Sequence, residues 1–224
     1  MKSKYSFGLA ILLLMTGFGV GCDASVNKSI RIEEGEKVQG GLTSVNGNVT
    51  VGADAEVDGG VKTVNGRIKV RDRVAIRDLV TVNGSIDVDE AAKIDGDVTS
   101  VNGSIQVEAG VTIDGKVETV NGRIDLEGTT VTGRIETRNG SIRLAGKSRV
   151  EGSIEVEPTG GGSSSGGLQI EILEGSVVEG DIVSRSNSRE VKVLLDSTSE
   201  VRGELKGVEV VRQPETATEG SEAS

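Results

Sequence analysis

The side chains of this 224-residue chain that could do chemistry are one thiol, Cys22, and 35 carboxylates. It contains no histidine or tryptophan, and every Tyr, Phe and Met precedes Cys22. Without imidazole there is no Ser-His-Asp or Cys-His nucleophile pair, no imidazole metal ligand and no histidine base. Without aromatic rings downstream there is no platform on which bases or sugars could stack. The formal charge of -10 repels phosphate backbones, so nucleic acid is not an expected partner. Acid pairs such as Asp87 with Asp89 and Asp95 with Asp97 have the composition of a glycosidase site. Alternate residues of a strand share one face, however, and these pairs read as solvated acidic stripes. No cofactor is expected, and the Gly-Gly-x-Gly-x-Asp calcium repeat is absent. A second polar set is Thr63 with Asn65, Thr81 with Asn83, Ser100 with Asn102, and Thr119 with Asn121. It fits a flat ladder for ice or carbohydrate, or a corner column of mutually bonded side chains. The corner column is the favoured reading.

Cys22 follows a tripartite leader. Lys2 and Lys4 are positive, Phe7 to Met15 is apolar, and Thr16 to Gly21 is mostly small. The apolar run is too short to span a bilayer as a mature helix, so residues 1–21 read as a secretory signal. Gly19-Val20-Gly21-Cys22 resembles a bacterial lipobox, although Gly19 stands where that pattern prefers Leu. The resemblance implies that Cys22 is diacylated and becomes the mature N-terminus, held to a membrane by two acyl chains. Asp23 resembles the inner-membrane retention residue of enteric bacteria, which leaves the choice of membrane open. One cysteine also precludes an internal disulfide framework.

Aligned to itself, the rest of the chain is a repeat. Ser44-Val45-Asn46-Gly47 recurs at Thr63, Thr81, Ser100, Thr119 and, as Thr-Arg-Asn-Gly, at Thr137, every 18 or 19 residues. Between these strings lies apolar-x-Gly-x-apolar, as in Ile94-Asp95-Gly96-Asp97-Val98 and Ile113-Asp114-Gly115-Lys116-Val117. Asp78 replaces the glycine once. Apolar residues alternate within each unit: Val82, Gly84, Ile86 and Val88 share one face of the expected strand.

Eighteen residues make three strands of about six, closing one triangular coil. The expected fold is all-β: a single-stranded parallel β-helix, or β-solenoid, of about nine coils over residues 30–212. Residues 22–29 are then an anchor linker, 158–167 and 184–190 loop insertions, and 213–224 a disordered acidic tail. The core becomes columns of Val, Ile and two series of Gly, too narrow for a Phe ring. An antiparallel meander with Asn-Gly hairpins competes, but its strands would alternate between unequal lengths.

The apolar-x-Gly-x-apolar strings with short Val/Ile strands resemble the bactofilins, the polymer-forming bacterial solenoids. They also resemble adhesin-head-like solenoids of exported proteins, through strings such as Arg138-Asn139-Gly140-Ser141-Ile142-Arg143-Leu144. The first resemblance implies a right-handed β-helix that associates end to end. This chain departs from bactofilins in its leader and in lacking an aromatic end residue. The expected role is a non-catalytic structural or scaffold protein of the cell envelope. Its expected partners are a membrane through Cys22, and itself or wall components. The alternatives are a ligand-binding surface solenoid and, third, a polysaccharide-acting enzyme.

Overall fold

The computed structural model describes residues 23–158, 167–185 and 190–212. Cys22, its leader, the interiors of both insertions and the tail lie outside the described residues. Among the described residues there are 29 strands and no helix. They form three parallel sheets of ten, ten and nine strands. Each strand pairs with the third strand before and after it, so the chain winds through the three sheets in turn and stacks about nine coils. Every ladder is parallel, which removes the meander.

One coil shows the design. Val61–Asn65 lies in the first sheet, Ile68–Val70 in the second and Ala75–Ile76 in the third. Two side chains per sheet point inward: Val61 and Thr63, Ile68 and Val70, Val74 and Ile76, all within 2% of complete burial. The strands span two to five residues, shorter than expected, because a corner follows each inward pair. In-register pairing turns like positions into columns, such as Ile68, Ile86, Ile105, Ile124 and Ile142. Each fully buried Ile contributes roughly 1.5–3 kcal/mol. Coils lie about 4.8 Å apart, giving a rod of roughly 40 Å.

Three sequence expectations need correction. The solenoid begins before residue 30, since Asp23–Ser25 pairs with Leu42–Ser44 in the first sheet. The valines of the Val-Asn-Gly strings are not core residues. Val64, Val82, Val101 and Val120 are half-buried on the outer face of the first sheet, and Val45 is 37% exposed. The preceding Thr or Ser takes the inward slot, because the next inward residue lies five positions on and the corner inverts the alternation. The glycine series, finally, do not fill the core. A Cβ built on Gly66, Gly84, Gly103 or Gly122 would overlap the carbonyl oxygen of the equivalent glycine one coil earlier. Glycine is needed there because backbone lies directly against backbone along the rod.

The corner between the second and third sheets takes a left-handed residue instead. Asp54, Arg73 and Ala91 stack there at φ of 58°, 56° and 56°. Each costs about 1–2 kcal/mol of strain. Each N–H donates to the next coil, as from Ala91 to the Ala109 carbonyl at 2.9 Å, which holds the turn in place.

Gly103→Ala is expected to lower unfolding free energy by about 3 kcal/mol, whereas Ser104→Ala beside it changes it by less than about 0.5 kcal/mol. Chemical denaturation of both variants checks this.

Candidate functional site

The polar set divides between inside and outside. Ser44, Thr63, Thr81, Ser100, Thr119 and Thr137 are completely buried. Their hydroxyls donate to backbone carbonyls of the adjoining corner: Thr63 to Gly47 at 3.1 Å, Thr81 to Gly66 at 3.2 Å and Ser100 to Gly84 at 3.2 Å. That bond lets a hydroxyl occupy a core position without an unsatisfied polar atom. Thr63, Thr81, Ser100 and Thr119 therefore present nothing to solvent, and a flat Thr/Ser-x-Asn binding surface does not exist.

The asparagines are exposed and bonded to one another. Asn65 Nδ2 donates to Asn46 Oδ1 at 2.7 Å, Asn83 to Asn65 at 2.8 Å, Asn102 to Asn83 at 2.9 Å and Asn121 to Asn102 at 2.8 Å. Asn46 donates to Asn27 at 2.6 Å, and Asn139 to Asn121 at 2.7 Å, so Asn27, Asn46 and Asn139 extend the expected set. A primary amide can donate to one neighbour and accept from the other, which makes a column of like residues self-complementary. Asn27 escapes a motif search because Lys28 replaces the glycine; its position 19 residues before Asn46 is the signal that finds it.

Three of the four acids in the expected pairs are engaged by cations of neighbouring positions, and the fourth, Asp97, by a backbone N–H. Asp87 pairs with Arg67 at 3.2 Å, and Asp89 with Lys69 and with Arg71, the latter at 3.3 Å. Asp95 and Asp97 stand on opposite sides of a corner, so they do not face a common space. Asp95 meets Lys93 at 2.5 Å, while Asp97 accepts the Lys116 backbone N–H at 2.9 Å. Asp54 is held below its ordinary pKa by the two-pronged Arg73 guanidinium, at 2.7 and 2.8 Å.

Glu118 differs. It lies at the centre of the outer face of the first sheet, 4% exposed beneath neighbouring side chains. Burial pushes its pKa up, against the opposing pull of Lys116 at 2.6 Å. Among the described residues no three His, Cys, Asp or Glu side chains converge to hold a metal ion.

The coiled topology, the glycine corners and the amide ladder together define a repeat-built parallel β-solenoid. Within that class, the chain belongs to the Toastrack DUF4097 family, which it matches over residues 48–211. No curated protein and no solved structure matches it.

Asn102→Ala breaks two ladder bonds and is expected to cost about 1–2 kcal/mol by denaturant unfolding. Glu118→Gln tests the buried carboxylate. Its pKa is higher in the folded chain than in the unfolded one, so between those values the folded state binds more protons and wild-type stability falls as pH rises. The variant is expected to melt above wild type at neutral pH, with the difference vanishing below the ordinary carboxylate range.

Proposed function

We propose that this chain is a lipid-anchored, non-catalytic structural rod of the cell envelope, held by Cys22 on the outward side of a membrane and associating with itself or with wall components. The observation that carries the reading is the position of the first strand. Asp23–Ser25 begins at the residue after Cys22 and pairs directly with Leu42–Ser44. Acyl chains on Cys22 would therefore tether the first coil with no spacer, so the membrane's grip passes straight into the stacked backbone.

Two acyl chains provide lasting attachment where one does not, since each buried CH₂ contributes about 0.8 kcal/mol. The non-catalytic part draws on the use made of the reactive side chains. The Thr and Ser hydroxyls of the repeat are bonded inside the corners, the Asn amides to one another, and acids such as Asp54, Asp87, Asp89 and Asp95 to nearby cations. Self-association, as in the bactofilin-like resemblance, draws support from the last coil. Leu205, Val210 and Val211 are 40%, 36% and 36% exposed there. Glu209–Arg212 is an edge strand of the second sheet, and such edges template further pairing.

Labelling cells with a fatty-acid analogue, followed by fractionation, tests the anchor. Wild type is expected to take the label and sediment with membranes, and Cys22→Ala to lose both. An unlabelled wild-type chain overturns the reading.

A further inference from the structure

The outer face of the first sheet carries charge in an order that self-association would use. Just before the inward residue of each strand, successive coils present Asp78, Asp97, Lys116 and Arg134. The middle of the same face runs Lys62, Val80, Thr99, Glu118, Glu136 and Glu155. Both columns change character at one level, between Val98–Ser100 and Val117–Thr119. These are the fifth and sixth of the ten strands in that sheet, so the change falls at the midpoint of the rod.

We infer that this face is the contact between two copies of the chain, packed face to face and antiparallel about a two-fold axis that lies along the strands at that midpoint. Such an axis keeps each column facing its own counterpart and reverses its order. Asp97 then meets Lys116 of the second copy, Asp78 meets Arg134, and Lys62 meets Glu155. Glu118, Thr99 and Val80 at the centre are only 4%, 7% and 5% exposed in one copy, so the contact is made by the charged side chains around them. In these two columns every charge that meets another charge meets its opposite.

The third column places Val101 against Val120 at the centre. Asp78 and Asp97 each accept a backbone N–H of the following coil but have no basic partner among the described residues. The second copy brings one to each, Lys116 and Arg134, which also pair with Glu118 and Glu136 of their own copy. Placing the axis at the midpoint also overlaps the whole sheet. A face about 40 Å long and 15 Å wide buries about 600 Å² per copy, about 1,200 Å² in all, the lower bound for a specific dimer.

This rests on the self-association part of the proposed function and places the contact on the flank of the rod rather than at its last coil. In an antiparallel pair the two Asp23–Ser25 strands stand at opposite ends of the block, so a pair tethered beside both of them to one membrane would lie along it. The inference does not depend on the lipid itself, and solution mass tests it apart from the labelling experiment.

The test is sedimentation equilibrium of the full-length chain in density-matched detergent. Wild type is expected to be a dimer. Asp97→Lys and Lys116→Asp each set like charges across the axis and are expected to weaken the dimer at least about tenfold. Combining both in one chain restores opposite charges and is expected to restore the dimer. Val101→Lys, on an already half-buried outer position, is expected to weaken it similarly. Gln106→Lys on the second sheet leaves it unchanged. Thermal melts confirm that each variant is folded. A wild-type monomer at all concentrations overturns the inference and leaves the face to some other partner. A dimer indifferent to both Asp97→Lys and Val101→Lys also overturns it and moves the contact to the rod ends.

Discussion

Backbone hydrogen bonds between successive coils set the terms for every other feature of the molecule. Asn102 donates to Val82 at 2.8 Å, Thr112 to Ala92 at 3.1 Å and Ile105 to Arg123 at 2.8 Å, and the pattern repeats along the rod. Coils so bonded sit about 4.8 Å apart, which forces each side chain against its equivalents in the coils before and after. Isoleucine on isoleucine and amide on amide tolerate this. Carboxylate on carboxylate is less favourable; some charged positions are staggered to suit, while Glu118, Glu136 and Glu155 stack in register with Lys116, Arg134 and Arg185 beside them. Asp54 lies against Arg73, Asp58 against Arg77, and Arg143 against Asp125. Exposed pairs of this kind are individually weak, so their main effect is on register, since a coil slipped by one residue would lose them.

The same spacing explains the glycines and the missing aromatics. At two corners of most coils the chain passes so close to the preceding coil that a methyl group has no room. In the interior six side chains fill one layer, and a ring would force layers apart. Stability is therefore spread evenly along the rod, coil by coil, as in other repeat architectures. The Thr and Ser hydroxyls and the Asn amides of the repeat are drawn into this stacking. What the molecule presents outward is three faces, two ends and, next to Cys22, the first strand.

Much of this was legible in the sequence. The 18–19-residue period and the parallel coiling follow from Asn-Gly strings and apolar-x-Gly-x-apolar strings repeating in one constant phase, whereas the place of both glycine series at corners, backbone against backbone, did not. The orientation at the first corner was not legible. Thr81 and Val82 have nearly the same shape, and only the corner geometry decides which one faces inward. A bond from Thr81 to the Gly66 carbonyl makes the polar residue the better core member. The asparagine column was visible as a recurrence, but its bonding depended on knowing that coils stack in register. The partners of the acid pairs were hidden for a related reason. Asp87 and Asp89 are neighbours along the chain, yet the partners that matter to them, Arg67, Lys69 and Arg71, lie one coil earlier.

Distances along one exposed column test the stacking most directly. Asp58, Asp95, Asp114 and Glu151 occupy equivalent positions after the third-sheet strands of successive and more distant coils. In a Cys22→Ser background, spin labels at position 58 and at 95, 114 or 151 report separations by pulsed electron resonance. Stacked parallel coils require these to rise in proportion to coil number, to about 10, 14 and 24 Å at about 4.8 Å per coil. Separations that fail to increase with coil number, or that alternate between short and long, would contradict the account.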